Sequence, residues 1–569
     1  MSDPASVPQA ASHPGRTLAV AAAALAFPVL FTLLWPPFGV AELSWVAIAP
    51  LTAIAVLVRR GWLAFLLAFA AAVPAWTWLE AWLWGLTPPG TVSLVIFCSS
   101  FAGLYAWTLG RLVRSRRFGN WPLAALAPVA WCGVEFLRSD LVLGGYGWFP
   151  LGLATLGPPD APGNLAGGAS LLGWSFVSGC CAATGGLAVD LAVRRRDAVR
   201  GMRGFAAAAT VAMPFVLVAH GRSWSGADAP AGPAVVLVQT DLPMSNKLAW
   251  SRDDQLRDIP DFIQLTFAGR RAARGAGLEP DLFVWPETTL PGFGLEPETV
   301  RTLVEGGYWP GSIFSDAIAD LARELDRPML VGSNAYLGLA AVEGRWTFDR
   351  QFNSVYLVDG EVPFPRYDKL LLTPFGEEMP LISRWDWLEE RLLAIGAPGM
   401  AFDLHAGERP VRFEIPFRGE SGKTRVARVA TPICFEDSVP KVCRRLAFDR
   451  AGRRADLLVN LSNDGWLLDS QMAREHHVLH ARGTALALRT PMLRAANTGL
   501  SVAIAADGRL THRIGEGPAG EGERSGTLAV RPSLGTGTPL FARMGDTWPI
   551  LSLGLLSVAV LLSRGNSRP

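Results

Sequence analysis

Three residues of types suited to covalent chemistry each follow a short β-rich run in the C-terminal half of the chain. Cys434 ends RVATPIC (428–434), Glu287 lies one proline beyond DLFVW (281–285), and Lys369 sits within RYDKLLLTPFGEEMP (366–380). The thiolate is the nucleophilic form of cysteine, and a free thiol with a pKa of about 8.5 is mostly protonated at neutral pH. Cys434 therefore needs a base to take its proton and a cation to stabilise both the thiolate and the oxyanion formed by its attack. Glu287 and Lys369 are of the right types for those two tasks. Singly, each has a plainer reading: a free cysteine is commonly buried packing, and a Glu or Lys at a strand end is commonly solvated. Only the set of three, drawn from separate segments, makes a case for chemistry.

The elements that must position them change character along the chain. From Ala234 onward short strand-like runs recur, among them AVVLVQ (234–239), PMLVGS (328–333), NSVYLVDG (353–360), DLLVNLS (456–462), MLRAAN (492–497) and SVAIAADG (501–508). Helical stretches separate several of them, including residues 253–275, 312–326 and 469–489. Strands alternating with helices imply a layered α/β domain with helix-covered sheets over 234–547, joined by a linker at 221–233.

Before that point the chain reads as membrane. Apolar runs at 17–35, 42–58, 61–83, 91–112, 122–138, 167–193 and 204–220, with one more at 548–563, predict seven helices in a membrane domain over 17–220 and an eighth at the C-terminal end. Arginines gather at Arg16, Arg59–Arg60, Arg111–Arg117, Arg194–Arg203 and Arg564–Arg568, in alternate connections, while PPFGVAE and WGLTPPG carry none. The positive-inside rule then puts the 1–16 and 564–569 tails in the cytoplasm and the α/β domain on the outer, periplasmic side. Near that face, Glu80 is embedded among Trp76, Trp78, Trp82 and Trp84, which reads as an interfacial belt or a lipid-headgroup contact. Glu135 and Arg138 lie one helical turn apart and are expected to pair. GGYGWF (144–149) reads as a flexible re-entrant turn rather than a phosphate loop. A net charge of +2 gives no reason to expect nucleic acid, and six cysteines in 569 residues are read as free thiols rather than a disulfide framework.

The strings VWPET, YDKLLLTPFGE, PICFE and NLSNDGW, in that order and beyond seven apolar spans, resemble the nitrilase superfamily, and within it the membrane-embedded apolipoprotein N-acyltransferases. The resemblance implies a four-layer αββα sandwich with Glu287 as general base, Lys369 as the electrostatic member and Cys434 as nucleophile, supported by Glu377 and Glu436. Phe435 stands where the family often has Tyr, and LLL (370–372) replaces a more basic stretch. QTDLPMSNKLAW (239–250) loosely follows the family pattern at the domain start, which makes Trp250 a candidate for substrate binding. The activity implied is transfer of a fatty acyl chain from a phospholipid, phosphatidylethanolamine, through a Cys434 thioester to the α-amino group of an S-diacylglyceryl-cysteine at a lipoprotein N-terminus, with no cofactor.

Other features have weaker functional readings. LISRWDWLEERLLAIG (381–396) spaces apolar residues by three and four and reads as an interfacial arm carrying Trp385, or as an ordinary packed helix. His476 and His480 have the i, i+4 spacing of metal ligands, but without a metalloprotease's acid they read as part of a packed or surface helix. Asn463, which borders the expected pocket, and Asp464 read as capping and turn residues. Two rivals remain: a membrane-tethered nitrilase-type amidohydrolase acting on a small amide, and a non-catalytic lipoprotein-binding or transport protein.

Overall fold

The computed structural model describes residues 14–193, 201–223, 229–242, 250–342, 345–361, 363–378, 387, 391, 404–419, 421–514 and 525–563. The chain begins with α1 (Pro14–Leu33), α2 (Ala49–Leu57), α3 (Gly61–Leu79), α4 (Pro88–Arg114), α5 (Leu123–Phe136), α6 (Trp174–Val193) and α7 (Gly201–Arg222). The α/β part contributes α8 (Arg252–Gly275), α9 (Ile313–Leu325) and α10 (Gln471–Leu488), and α11 (Thr547–Leu562) follows it. A helix lies in each of the eight apolar runs. Five of them (α1, α3, α4, α6 and α7) are long and apolar enough to cross a membrane, whereas α2, α5 and α11 are shorter. Leu18, Leu25, Phe205 and Phe215 stand exposed on α1 and α7, where hydrocarbon rather than water is the compatible surrounding. The run at 167–193 is not one helix, because Gly173 takes a φ of +81° and α6 starts only after it.

Among the described residues the α/β part holds, besides two two-stranded sheets, two six-stranded ones. In chain order their strands are β1 (Val235–Gln239), β2 (Leu282–Val284), β3 (Met329–Leu337), β4 (Arg350–Val358), β5 (Arg366–Asp368), β6 (Phe413–Arg418), β7 (Thr424–Ala430), β8 (Leu457–Ser462), β9 (Met492–Ala496), β10 (Val502–Ile504), β11 (Leu510–Arg513) and β12 (Gly526–Val530). One sheet runs β12-β1-β2-β3-β4-β5 and the other β11-β10-β9-β8-β7-β6. The pairs β1–β2, β2–β3, β7–β8 and β8–β9 are parallel, so both sheets have parallel centres with antiparallel edges.

Side-chain alternation assigns the layers. Val235 and Leu237 of β1 share a core with Phe413, Val429, Leu457 and Leu493 of the other sheet. Val236 and Val238 pack instead with Phe262 of α8 and Ile318 of α9. Helix α10 lies against β9 and β10 of the second sheet, completing an αββα order. β1 is therefore buried on both faces, which is why it reads as an unbroken apolar run.

Candidate active site

All three candidate catalytic residues emerge just beyond strands of the two central sheets. Glu287 follows β2, and its loop passes so close to β3 that a Cβ on Gly332 would lie 2.7 Å from the Glu287 Cα. Lys369 directly follows β5, and its N–H donates to the Asn353 carbonyl of β4 at 2.9 Å. The Asn353 amide in turn donates to Glu287 Oε1 at 2.7 Å. The segment after β7 bridges β8 through Ile433 and Leu461, and Cys434 then starts a short helical turn, Cys434–Ser438.

Burial differs across the three. Glu287 and Lys369 are 2% and 0% exposed, whereas Cys434 is half-buried, so the thiol is the most accessible member of the group. Lys369 Nζ donates to Glu377 Oε2 at 2.6 Å, and that same oxygen accepts the Thr373 N–H at 2.8 Å. Burial alone would lower the Lys369 pKa. The negative charges of Glu377, Cys434 and Glu287 outweigh it and raise the value, which keeps the ammonium protonated.

Cys434 has a φ of +50°, a left-handed conformation that is strained for a residue with a side chain. Its surroundings hold it there. The Asn460 amide, on β8, donates to the carbonyls of Pro432 and Cys434 at 3.1 and 3.0 Å. Glu436 ties the turn to the lysine loop: Oε1 accepts from the N–H groups of Leu370 and Leu371 at 2.7 and 3.0 Å, and Oε2 from that of Ile433 at 2.8 Å. The Tyr367 hydroxyl donates to the same carboxyl at 2.9 Å. Burial pushes the Glu436 pKa up to about 7, against these donors and Lys369, which lower it.

A second layer of charge lies behind the turn. His477 bridges two acids, with Nε2 2.9 Å from Asp437 Oδ1 and Nδ1 2.9 Å from Asp464 Oδ1. Arg494 donates to Asp437 at 3.2 Å, Asp464 at 2.6 Å and the Ser462 hydroxyl at 2.9 Å. All four charged groups are buried, and their charges balance when His477 is an imidazolium. Burial would push its pKa down; Asp437 and Asp464 outweigh burial and the opposing Arg494, bringing it up to about 9. A histidine raised in the folded state adds stability that is full below its unfolded value and fades as pH rises through the folded one. Wild-type protein in detergent should thus lose on the order of 3 kcal/mol between about pH 6.5 and 9 from this group. Thermal melts across that range should fall more steeply for the wild type than for His477→Gln; superimposable pH dependences would exclude the bridge.

The membrane part meets this site through a pinned loop. Arg138 is buried and donates to the carbonyls of Tyr146, Trp148 and Phe149 at 2.9, 2.7 and 3.2 Å. GGYGWF is therefore anchored rather than free, and its Trp148 indole reaches the Ser438 hydroxyl of the Cys434 turn at 3.4 Å. Among the described residues there is no Glu135–Arg138 ion pair; Glu135 Oε1 instead accepts from Trp131 Nε1 at 3.1 Å and the Leu151 N–H at 2.8 Å. Glu80 also turns inward. It is fully buried and accepts the Tyr146 hydroxyl at 2.6 Å, while Trp78 and Trp84 remain exposed. His476 and His480 are buried too, with His476 stacked on Phe149 at 3.9 Å between ring centroids.

The other expected site residues divide. Phe435 is partly buried beside Cys434, and Asn463 accepts the Gly465 N–H at 3.1 Å as a cap. Trp250 donates to Asp258 of α8 at 2.9 Å and packs with the core on that side of the first sheet. Trp385 and most of 381–396 lie outside the described residues; of that segment only Trp387 and Arg391 are described, both exposed. The sequence reading missed Asn353, Tyr367, Asp437, Asn460, His477 and Arg494. A usable signal existed for three of them. Asn353, Asn460 and Arg494 are polar residues at buried positions of largely apolar strand segments, which demand partners.

Residues 28–187 match the family model described as the apolipoprotein N-acyltransferase N-terminal domain, and residues 235–521 match that of the carbon-nitrogen hydrolases. An apolipoprotein N-acyltransferase of Geobacter metallireducens is 28% identical over 568 residues, spanning 95% of this chain and 94% of its own. A second, from Bordetella bronchiseptica, is 29% identical over 549 residues, spanning 88% and 86%. Among solved structures, an amidase from Nesterenkonia sp. aligns with 54% of this chain and 94% of its own, at 15% identity and a TM-score of 0.32.

Proposed function

The chain belongs to the carbon-nitrogen hydrolase family, and on that premise we propose that it is a phospholipid-dependent N-acyltransferase that completes lipoprotein N-termini. The observation that carries the reading is a Glu287–Lys369–Cys434 cluster, its Glu and Lys buried and its Cys half-buried, whose nucleophile turn is bonded to a membrane-domain loop through Trp148 and Ser438. A hydrolase of small soluble amides has no use for that attachment. An enzyme whose substrates carry acyl chains does. The names of the full-length relatives support the same choice.

In this reading Glu287, oriented by Asn353, takes the Cys434 proton. The thiolate attacks the sn-1 ester carbonyl of a phospholipid, phosphatidylethanolamine in the simplest case. Lys369 and a backbone N–H beyond Cys434 stabilise the oxyanion. The ester C–O bond breaks, the leaving alkoxide takes the proton back from Glu287, and a lysophospholipid departs from the Cys434 thioester. The α-amino group of an S-diacylglyceryl-cysteine then attacks the thioester, gives a proton to Glu287, and expels the thiolate as the amide forms. Glu377 and Glu436 act as positioning residues for the lysine and the nucleophile turn.

The arginine pattern supports an outward-facing catalytic domain over 234–547, with residues 17–220 and 548–563 in the membrane and both termini cytoplasmic. The test is purified protein with phosphatidylethanolamine vesicles and a diacylglyceryl-cysteine peptide, read by mass. A third acyl chain on the α-nitrogen, formed as lysophospholipid appears, is the expected product. Free fatty acid in its place, or turnover of small amides alone, would favour the amidohydrolase.

A further inference from the structure

A cavity of about 130 Å³ lies where the membrane helices meet the nucleophile turn, bordered by Phe435 and Ser438 on one side and Glu135, Asp140, Lys441 and Asp546 on others. Two acceptors in its polar wall have no hydrogen-bond partner among the described residues. Glu135 is 4% exposed; Trp131 and Leu151 hold its Oε1 and the Ser178 hydroxyl lies near the carboxylate, while Oε2 has no hydrogen-bond partner among the described residues. His480 is 5% exposed and bonded to the backbone at Ser438, while Nε2 has no hydrogen-bond partner among the described residues. Burial pushes the His480 pKa down to about 3, so the ring is neutral and Nε2 is free to accept. Asp546, just before α11, has its pKa raised by burial and by the nearby Asp140, against Lys441 and Arg444, which lower it. Asp140 is already engaged, with Lys441 at 2.7 Å and the Ser139 hydroxyl at 2.6 Å.

Unmet acceptors in a buried polar recess call for a ligand made of donors, and carboxylates among them call for a cation. A primary ammonium supplies three N–H donors and one positive charge in a volume that such a cavity holds. We propose that this cavity seats the primary ammonium of a substrate, with Glu135 Oε2, His480 Nε2 and the Asp546 carboxylate as acceptors. The proposal rests on the acyl-transfer reading, under which two substrates carry such a group: an aminophospholipid donor in its headgroup, and the acceptor peptide at its α-nitrogen. Lys441 favours the headgroup. It borders the same cavity with a partly exposed ammonium, placed to meet the phosphodiester a few bonds from the amine.

The test compares wild type with Asp546→Asn and Glu135→Gln, the latter keeping an acceptor for Leu151 while presenting N–H to the cavity. One arm follows thioester formation without acceptor, from phosphatidylethanolamine and from phosphatidylglycerol of the same acyl chains. The other follows transfer from preformed acyl-enzyme across a range of diacylglyceryl-cysteine peptide. A headgroup seat shows as a fall of about tenfold or more in the preference for ethanolamine over glycerol. An acceptor seat shows as a comparable rise in the half-saturating peptide concentration. Variants that keep both wild-type values overturn the proposal. Thermal stabilisation by glycerophosphoethanolamine, compared with glycerophosphoglycerol, reads the seat without any reaction. Wild-type protein that forms no thioester yet is stabilised selectively keeps the seat and loses the acyl-transfer reading; one that forms the thioester but shows neither selective stabilisation nor donor preference nor a variant effect on the peptide loses the seat alone.

Discussion

Cys434→Ser protein incubated with phosphatidylethanolamine is expected to gain no acyl mass, whereas wild-type protein should gain one fatty acyl group that hydroxylamine removes. Acyl transfer falls by roughly 10⁴-fold or more, as in enzymes stripped of a covalent nucleophile. The substitution is nearly isosteric, and the half-buried side chain leaves the turn's restraints on the backbone: the Asn460 bonds to the Pro432 and Cys434 carbonyls and the Glu436 bond to the Ile433 N–H. The variant should therefore melt close to wild type, which separates loss of chemistry from loss of fold. A serine hydroxyl ionises so much less readily than a thiol that a carboxylate base cannot make it an effective nucleophile at neutral pH. A labile acyl adduct on the serine variant, or appreciable transfer by it, would remove Cys434 from the mechanism.

Lys369→Met is expected to lose both rate and stability, for different reasons that a second substitution separates. The ammonium is fully buried and meets Glu377 at 2.6 Å. Removing one partner of this buried ion pair costs about 3–5 kcal/mol. It also removes the cation that faces the developing oxyanion, worth roughly 10²–10³ in rate. Adding Glu377→Gln to Lys369→Met removes the stranded charge, so thermal stability should recover substantially while single-turnover acylation stays low. The Gln oxygen can still accept the Thr373 N–H that Glu377 now takes at 2.8 Å. Recovery of rate along with stability would reduce Lys369 to a structural counter-ion.

The three residues proposed for catalysis were legible because each closes a segment with its own local signature. DLFVW and RVATPIC are short apolar runs ended by proline and a functional group, and such runs form strands whatever lies beside them. The lysine's strand was harder to see, since β5 is only three residues long and is stabilised by pairing with β4 rather than by any pattern of its own. The membrane runs were legible through length and composition, but their breaks were not. A glycine at 173 that ends a run depends on a backbone angle, not on hydropathy.

Burial and partner choice lay beyond that reading. Glu80 and Arg138 read as interfacial because they flank apolar runs, yet both fold inward to satisfy Tyr146 and the carbonyls of its loop. Glu436 reads as an acid two residues from a cysteine, but its four donors come from residues 367, 370, 371 and 433. The sequence by itself determined which chemistry was on offer, because residue type and local period are written along the chain. Only the tertiary structure decided how that chemistry is held. A buried charge must find its partners wherever packing brings them, and Lys441 finds Asp140 from 301 residues away, across the junction between the membrane helices and the sheets.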